Sequence, residues 1–166
     1  MRLLLICFLL SFGSIQAQEF TTIFLVRHAE KDMTESTNDP GLSEEGEQRK
    51  NDLAHTLGDT QIDAIFSTPY IRTRSTVAPL AREKGLEVRE YDPFDEEALH
   101  KIIHQHRGKT ILFSGHSNTV PAMLNMLTQS EDYQVLPDNA YDDLFMVIFY
   151  GSEGKVIHLQ YSEEDH

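Results

Sequence analysis

The sequence predicts an α/β fold, a three-layer α/β/α sandwich whose sheet is mainly parallel and carries an antiparallel addition at its C-terminal end. Two observations predict it. Short apolar and β-branched runs alternate along the chain with segments of helical periodicity, which favours a parallel sheet covered by helices on both faces. The last two apolar runs instead flank Gly151-Ser152-Glu153-Gly154, which is typical of a hairpin.

The first elements follow from local signals. Residues 21–26 form a run of apolar and β-branched side chains and are predicted to be a buried strand. Ser43 is a good N-cap, and the acidic residues after it suit the start of a helix. This helix is expected to run to about Leu57 and to stop at Gly58.

The middle of the chain repeats the alternation. Residues 64–67 are predicted to be the second strand, and Pro69 suits the first position of the helix that follows. Pro79 is expected to kink or end that helix, because proline lacks the N–H that a helix interior needs. A third strand is predicted near residues 86–89.

The remaining elements complete the pattern. Asp95 is predicted to cap a helix with apolar side chains at positions 99, 102 and 103. A buried strand over 110–113 precedes a helix with an apolar stripe at positions 120, 123, 124 and 127. The two strands of the hairpin are expected at 144–150 and 155–160.

The N-terminal segment has a different composition. Arg2 precedes the apolar run 3–10, and Ala17 follows as a small residue suited to cleavage. We therefore expect a signal peptide at 1–17, a mature domain at 18–166, and a periplasmic or secreted protein. The apolar run is shorter than the roughly 20 residues of a spanning helix, so no stable membrane insertion is expected after cleavage. An uncleaved anchor is the alternative.

Charge and cysteine content restrict the partners. The 166 residues carry a net charge of −13, and removing Arg2 with the signal peptide makes it −14. Such a charge disfavours nucleic acids and anionic lipid surfaces. Because Cys7 is the one cysteine, the mature domain can form no internal disulfide. An anionic substrate must therefore be held by a local cluster of basic side chains.

Such a cluster is predicted at one edge of the sheet. The first strand leads directly into Arg27 and His28, and the strand over 110–113 leads through Gly115 into His116. Arg72 follows the second strand by about one helical turn. Ligands of parallel sheets bind beyond the carboxyl ends of the strands, so these side chains are expected to meet there.

The residue types suit a phosphoryl group. Arginine presents a planar fork of donors that matches two phosphate oxygens, which favours Arg27 and Arg72 as binding groups. A neutral imidazole can attack phosphorus, and a protonated one can neutralise charge on the oxygens. The helix start at Ser117 and Asn118 adds backbone N–H groups that favour an anion.

Four segments together resemble the histidine phosphatase superfamily, and more closely its phosphoglycerate mutase-like branch. They occur in the family's order and span nearly the whole mature chain. They are Arg27-His28-Ala29-Glu30, Leu42-Ser43-Glu44-Glu45-Gly46, Ser67-Thr68-Pro69-Tyr70-Ile71-Arg72 and Gly115-His116-Ser117-Asn118-Thr119-Val120-Pro121.

The resemblance implies specific roles. His28 matches the phosphorylated nucleophile, Arg27 and Arg72 match the phosphate-binding arginines, and His116 matches the second pocket histidine. It also implies an α/β/α sandwich and an activity that needs no metal or other cofactor. Ala29 stands where the family more often has glycine.

The general acid is less well defined. Related enzymes place a carboxylate just after the third strand. Asp92 is preferred because it follows that strand directly and precedes Pro93, whereas Asp95 is better used as a helix cap. The other candidates are Glu90, Asp142 and Asp143.

Some nearby residues are assigned structural roles. Arg74 and Lys31 are expected to be solvated or salt-bridged, and Glu30 is expected to pair with a neighbouring arginine. Thr73 and Thr76 are expected to pack locally within their helix.

The sequence therefore predicts an exported, metal-independent phosphatase of small phosphorylated substrates that forms a phosphohistidine intermediate. Phosphoglycerate mutase and phosphohistidine phosphatase are the enzymatic alternatives, and export argues against both. A phosphate-binding module without turnover is the alternative from another class. Oligomeric state and physiological substrate are left open.

Overall fold

A computed structural model describes residues 20–150 and 153–162. The predicted signal peptide at 1–17 and the centre of the hairpin turn at 151–152 lie outside the described residues. Among the residues that are described, no helix combines the length and the apolar character needed to cross a membrane.

The centre of the fold is a six-stranded sheet with the strand order β3-β2-β4-β1-β5-β6. The four strands β3, β2, β4 and β1 run parallel to one another, whereas β5 and β6 are antiparallel additions next to β1. The strands are β1 Thr21–Arg27, β2 Ala64–Ser67, β3 Val88–Glu90, β4 Thr110–Gly115, β5 Asp143–Tyr150 and β6 Glu153–Gln160.

Four helices cover the two faces of the sheet. They are α1 Glu44–Leu57, α2 Ile71–Lys84, α3 Glu96–Gln105 and α4 Thr119–Thr128. Alternate β1 side chains point to opposite faces, so Phe24 packs with α1 and α2, whereas Ile23 packs with α3 and α4. The predicted three-layer sandwich with a mainly parallel sheet is therefore confirmed.

The register of the sheet brings two histidine-bearing strand ends together. β1 and β4 are neighbours, and Arg27, the last residue of β1, lies opposite Gly115, the last residue of β4. The carboxyl ends of β2 and β3 lie at the same edge because all four strands are parallel. This edge is where the sequence predicts the site.

Most predicted boundaries agree with the structure. Ser43 caps α1 by accepting a hydrogen bond from the N–H of Gly46, and Asp95 caps α3 by accepting one from Ala98. The predicted α4 stripe is buried as expected, and so is Leu99 of α3. Capping and periodicity were sufficient signals here because they act within a few residues.

The structure differs in detail from three predictions about the middle of the chain. Helix α2 begins at Ile71 rather than at Pro69, and Tyr70 is its N-cap. Pro79 does not end α2, which continues to Lys84 because buried Leu80 and Ala81 hold the turn after the proline against the core. Strand β3 begins at Val88, two residues later than expected.

Gly46 allows α1 to approach the loop that carries His28. A Cβ at Gly46 would lie 2.2 Å from the carbonyl oxygen of Glu30, a backbone atom that cannot swing aside. Ser43 donates its backbone N–H to the same carbonyl at 2.9 Å. The glycine is thus required by close packing between the helix start and the loop after β1.

We predict that Gly46→Ala destabilises the protein by about 1–2 kcal/mol. Alanine favours a helix by about 1 kcal/mol, but overpacking against the backbone costs about 1–3 kcal/mol and is expected to dominate. Chemical denaturation measures the change. Gly41→Ala is the control, because a Cβ there meets only the Glu35 carboxylate at 3.8 Å. Equal stability of Gly46→Ala and the wild type would contradict the packing argument.

Candidate active site

The carboxyl ends of the parallel strands open into one cavity of about 840 Å³. All seven predicted site residues line it. They are Arg27, His28, Arg72, Asp92, His116, Ser117 and Asn118. The convergence predicted from the strand ends is therefore present, and both imidazoles belong to the same cavity.

His28 is buried and held in one tautomer. Its Nδ1 lies 2.7 Å from the carbonyl oxygen of Ala29, which can only accept a hydrogen bond, so Nδ1 carries the proton. Burial lowers the pKa of His28 to about 3, and the positive charges of Arg72 and Arg27 act in the same direction. At neutral pH the ring is therefore neutral, and Nε2 has an available lone pair.

The backbone around His28 is fixed by its neighbours. The N–H of His28 donates to the carbonyl of Gly115 at 2.9 Å, which extends the pairing of β1 with β4 by one residue. The N–H of Ala29 donates to Oγ1 of Thr76 at 2.9 Å, and that hydroxyl donates to the carbonyl of Arg72. Thr76 was predicted to pack only within its helix, but it links the His28 loop to α2.

His116 faces His28 across the cavity, with ring centroids 5.3 Å apart. Its Nε2 lies 2.9 Å from Oγ1 of Thr68, whose own proton is directed to Oγ1 of Thr73 at 3.0 Å. Nε2 is then the donor. Burial, followed by the charges of Arg72 and Arg27, lowers the pKa of His116 to about 4. The predicted protonated form of this imidazole therefore requires a bound anion.

Arg27 is anchored at one edge of its guanidinium group. Nη1 donates to the carbonyls of Pro137 at 2.7 Å and Ala140 at 3.0 Å, and the group lies 4.0 Å from the centre of the Tyr141 ring. Nε is buried and has no partner among the described residues. An unsatisfied buried donor is costly unless a ligand satisfies it.

Arg72 has a similar arrangement. Nη1 lies 3.3 Å from Oδ1 of Asp39, and the group lies over the Tyr70 ring at 4.5 Å. Its Nε is also buried without a partner in the described part of the chain. In both arginines, Nη1 is therefore bound to the protein. Nε, which forms one edge of the donor fork, is left to donate to a bound acceptor.

Two of the five predicted acid candidates line the cavity. Asp92 accepts the N–H of Phe94 through Oδ1 at 2.9 Å, and Glu90 pairs with Arg74 at 2.8 Å. Asp95 is occupied as the cap of α3. The remaining two do not line the cavity. They are Asp142 and Asp143, both buried, and Asp143 pairs with His158.

The structural roles are mostly as predicted. Arg74 is salt-bridged, and Glu30 pairs with Arg49 at 2.7 Å. Lys31 is exposed, as expected for a solvated side chain, and it also lines the cavity.

Sequence reasoning missed Asp39, Tyr141 and Asp138. Asp138 lines the cavity, whereas Asp39 and Tyr141 hold the two arginines. All three lie in loops without a local signal.

The geometry suits a tetrahedral anion. The cavity is lined by two guanidinium groups, two neutral imidazoles and the start of α4. The Nε donors of both guanidinium groups have no partner among the described residues. Bringing in a dianion would satisfy the buried donors and favour protonation of His116. Within residues 20–150 and 153–162, no group of three or more His, Cys, Asp or Glu is arranged as a metal site.

Comparison with known proteins agrees with this site. The family model of the histidine phosphatase superfamily (branch 1) matches residues 23–98, a segment that includes Arg27, His28 and Arg72. Phosphoserine phosphatase 1 from Hydrogenobacter thermophilus is 38% identical over 71 residues, which are 40% of this chain. The chain spans only 34% of that relative's length.

Solved structures share the fold over most of the chain. A phosphoserine phosphatase mutant from Entamoeba histolytica has a TM-score of 0.68 at 17% identity, covering 86% of this chain and 97% of its own. A mycobacterial glucosyl-3-phosphoglycerate phosphatase has a TM-score of 0.69 at 13% identity, with 86% and 98% covered. The SixA protein of Agrobacterium tumefaciens has a TM-score of 0.64 at 24% identity, with 83% and 97% covered. Residues 23–98 of this chain, which supply Arg27, His28 and Arg72 to the site, are thus similar to the histidine phosphatase superfamily (branch 1), and the solved structures share the fold of the chain.

Proposed function

We propose that the protein is a phosphatase that hydrolyses phosphate monoesters through a phosphohistidine at His28, without a metal ion. One observation carries the proposal. The unprotonated Nε2 of His28 shares a cavity with two arginines whose buried Nε donors have no partner among the described residues. The relatives that match the chain include proteins named as phosphatases, which supports the same reaction class.

In the first half-reaction, Nε2 of His28 attacks phosphorus and the bond to the ester oxygen breaks. The leaving oxygen takes a proton from a carboxylic acid, for which Asp92 is our choice, and departs as an alcohol. Arg27, Arg72 and protonated His116 stabilise the charge on the phosphoryl oxygens throughout. The hydrogen bond from Nδ1 to Ala29 becomes stronger as His28 acquires positive charge.

In the second half-reaction, water attacks the phosphohistidine. The carboxylate left by the first step accepts a proton from this water, the P–N bond breaks, and His28 returns to its neutral form. Inorganic phosphate then leaves. The carboxylic acid thus serves first as an acid and then as a base, and the enzyme ends in its starting protonation state.

Metal independence is supported by the supply of positive charge from side chains. The two guanidinium groups remain charged at any working pH, so they can provide the field that a divalent ion supplies elsewhere. Activity that persists in a chelator would support this part of the proposal, and activity abolished by it would contradict it.

Location outside the cytoplasm is the remaining part of the proposal. It rests on the basic start, the short apolar run and Ala17 in residues 1–17. The absence of cysteine after Cys7 is compatible with an oxidising compartment, because no thiol remains to be oxidised.

We predict that the protein becomes labelled when mixed with a radiolabelled phosphate ester, and that His28→Ala abolishes the label. The label should be stable in alkali and labile in acid, as expected for a phosphoramidate. Turnover should fall by about a thousandfold or more, since the variant lacks the nucleophile.

His100→Ala is the matched control, because His100 is exposed on α3 and does not line the cavity. Labelling that survives in His28→Ala would overturn the proposed intermediate. Phosphate binding without any labelling of the wild type would instead favour a binding module.

We predict that Asp92→Asn lowers turnover of ethyl phosphate by about a hundredfold while affecting p-nitrophenyl phosphate much less. Ethoxide is a poor leaving group that needs the proton, whereas p-nitrophenolate leaves without one. Steady-state kinetics on the two esters measures the difference.

Glu90→Gln is the comparison, because Glu90 lines the same cavity but is paired with Arg74. If the glutamine variant alone shows the selective loss, Glu90 is the acid and the assignment of Asp92 is wrong.

Asp39 should position Arg72. Its carboxylate pairs with Nη1 of Arg72 at 3.3 Å and accepts the backbone N–H of Ile71 at 3.0 and 3.2 Å, which supplies the cap that Tyr70 does not provide for α2. We predict that Asp39→Asn raises KM about two- to fivefold with a small effect on kcat. The asparagine can still accept from Ile71, so the helix is retained.

A double-mutant cycle tests this prediction. In an Arg72→Ala background the effect of Asp39→Asn should vanish, because the two residues act as a unit. Asp32→Asn is the control, since Asp32 lies in the same loop and its carboxylate accepts hydrogen bonds from Thr34. An undiminished effect in that background would refute the positioning role.

A further inference from the structure

The cavity is larger than a phosphoryl group requires. Its volume of about 840 Å³ falls in the range of sites that enclose whole organic ligands. The phosphoryl-binding groups occupy the end formed by β1, β4 and the start of α2. The rest of the lining must therefore contact the leaving group of the ester.

That outer part is dominated by rings. Phe94, Tyr70, Pro69 and Pro93 all line the cavity. Phe94 is 75% exposed and Tyr70 is 40% exposed, so a substantial area of ring surface faces the opening. Apolar surface of this kind favours a ligand that covers it.

Phe94 is held close to the proposed acid. Its backbone N–H donates to Oδ1 of Asp92 at 2.9 Å in the turn between β3 and α3. A carboxylic acid that protonates the leaving oxygen must lie within hydrogen-bond distance of it. A substituent on that oxygen would then share the cavity with the side chain of Phe94.

The charges at the opening disfavour acidic leaving groups. Asp92, Asp138 and Glu90 line the cavity, and Lys31 is the basic residue that lines it outside the phosphoryl end. Arg74 pairs with Glu90 at 2.8 Å, and Asp92 is neutral when it holds the proton for the leaving group, so Asp138 and Lys31 balance each other. The opening therefore offers no net positive charge to a carboxylate on the leaving group, and the overall charge of −13 disfavours such a group.

From the exposed ring beside the acid and the carboxylates around it, we infer that the preferred substrates are monoesters with an uncharged aromatic or similarly flat apolar leaving group. This inference rests on the proposed phosphatase function. Phe94 and Tyr70 cover the aromatic group, and the arginines hold the phosphoryl end. Stacked or edge-on contact between rings adds to the gain from burying apolar area.

A matched pair of esters tests the inference. 2-Phenylethyl phosphate and ethyl phosphate have leaving groups of similar basicity, so their difference reports contact rather than chemistry. We expect kcat/KM to be more than about tenfold higher for the aromatic ester, and 3-phosphoglycerate to be poorer than both. Phe94→Ala should remove most of the preference by lowering kcat/KM for the aromatic ester by about tenfold.

Phe20→Ala is the control, because Phe20 is 57% exposed and does not line the cavity. Equal kcat/KM for the two esters, a preference for 3-phosphoglycerate, or a preference unchanged in Phe94→Ala would overturn the inference.

A binding measurement distinguishes failure of this inference from failure of the proposed function. It uses 2-phenylethylphosphonate and ethylphosphonate, which cannot be hydrolysed. If no ester is turned over, the proposed function fails. If the aromatic phosphonate binds more tightly and Phe94→Ala abolishes the difference, the apolar subsite is still supported. Equal binding of the two phosphonates would overturn the inference.

Discussion

The burial of two guanidinium groups beside two imidazoles is the constraint on which the site depends. Arg27 and Arg72 cannot lose their protons, so the cavity holds two positive charges in every state. Burial and these charges lower the pKa values of His28 and His116 to about 3 and 4. The imidazoles are neutral as a result, and neutrality is what a nucleophilic nitrogen needs. In the proposed reaction, the same positive charges attract the anionic ester that the neutral imidazole of His28 attacks.

This local field opposes the field of the whole molecule. The chain carries a net charge of −13, which repels anions at a distance. The arginines act at contact distance in a buried space, where attraction is screened less than at the surface. We infer that affinity for phosphate arises inside the cavity and owes little to long-range steering.

The sheet and the phosphoryl end of the site were predictable, because their signals are local and the strands are parallel. Arg27 ends β1, and His28 and His116 directly follow the ends of β1 and β4, so strand polarity alone places them at one edge. The supports of these residues were not predictable. Asp39 reaches Arg72 across 33 positions, and Ala140 reaches Arg27 across 113. Such contacts depend on how loops fold over the sheet, which no short-range pattern encodes.

The differences between prediction and structure have the same origin. Pro79 has an unfavourable helix propensity, yet the packing of Leu80 and Ala81 maintains α2 beyond it. Thr76 looked like an ordinary helix residue, but its hydroxyl accepts the N–H of Ala29, next to His28. Tertiary packing decided both cases, and it cannot be derived from propensity alone.

The side chains of the site come from two kinds of backbone, one rigid and one at the edge of the sheet. The side chains that we propose to bind the phosphoryl group lie at the ends of the central strands β1 and β4 and at the start of α2, where sheet hydrogen bonds and helix packing limit movement. The acid candidates and the exposed Phe94 lie at and after the short strand β3, at the outer end of the parallel block. In the proposed reaction, the step common to all phosphate monoesters depends on the rigid central strands, because a small displacement of the attacking nitrogen lowers the rate. Discrimination between leaving groups depends on the turn after β3, whose side chains can change without disturbing the sheet.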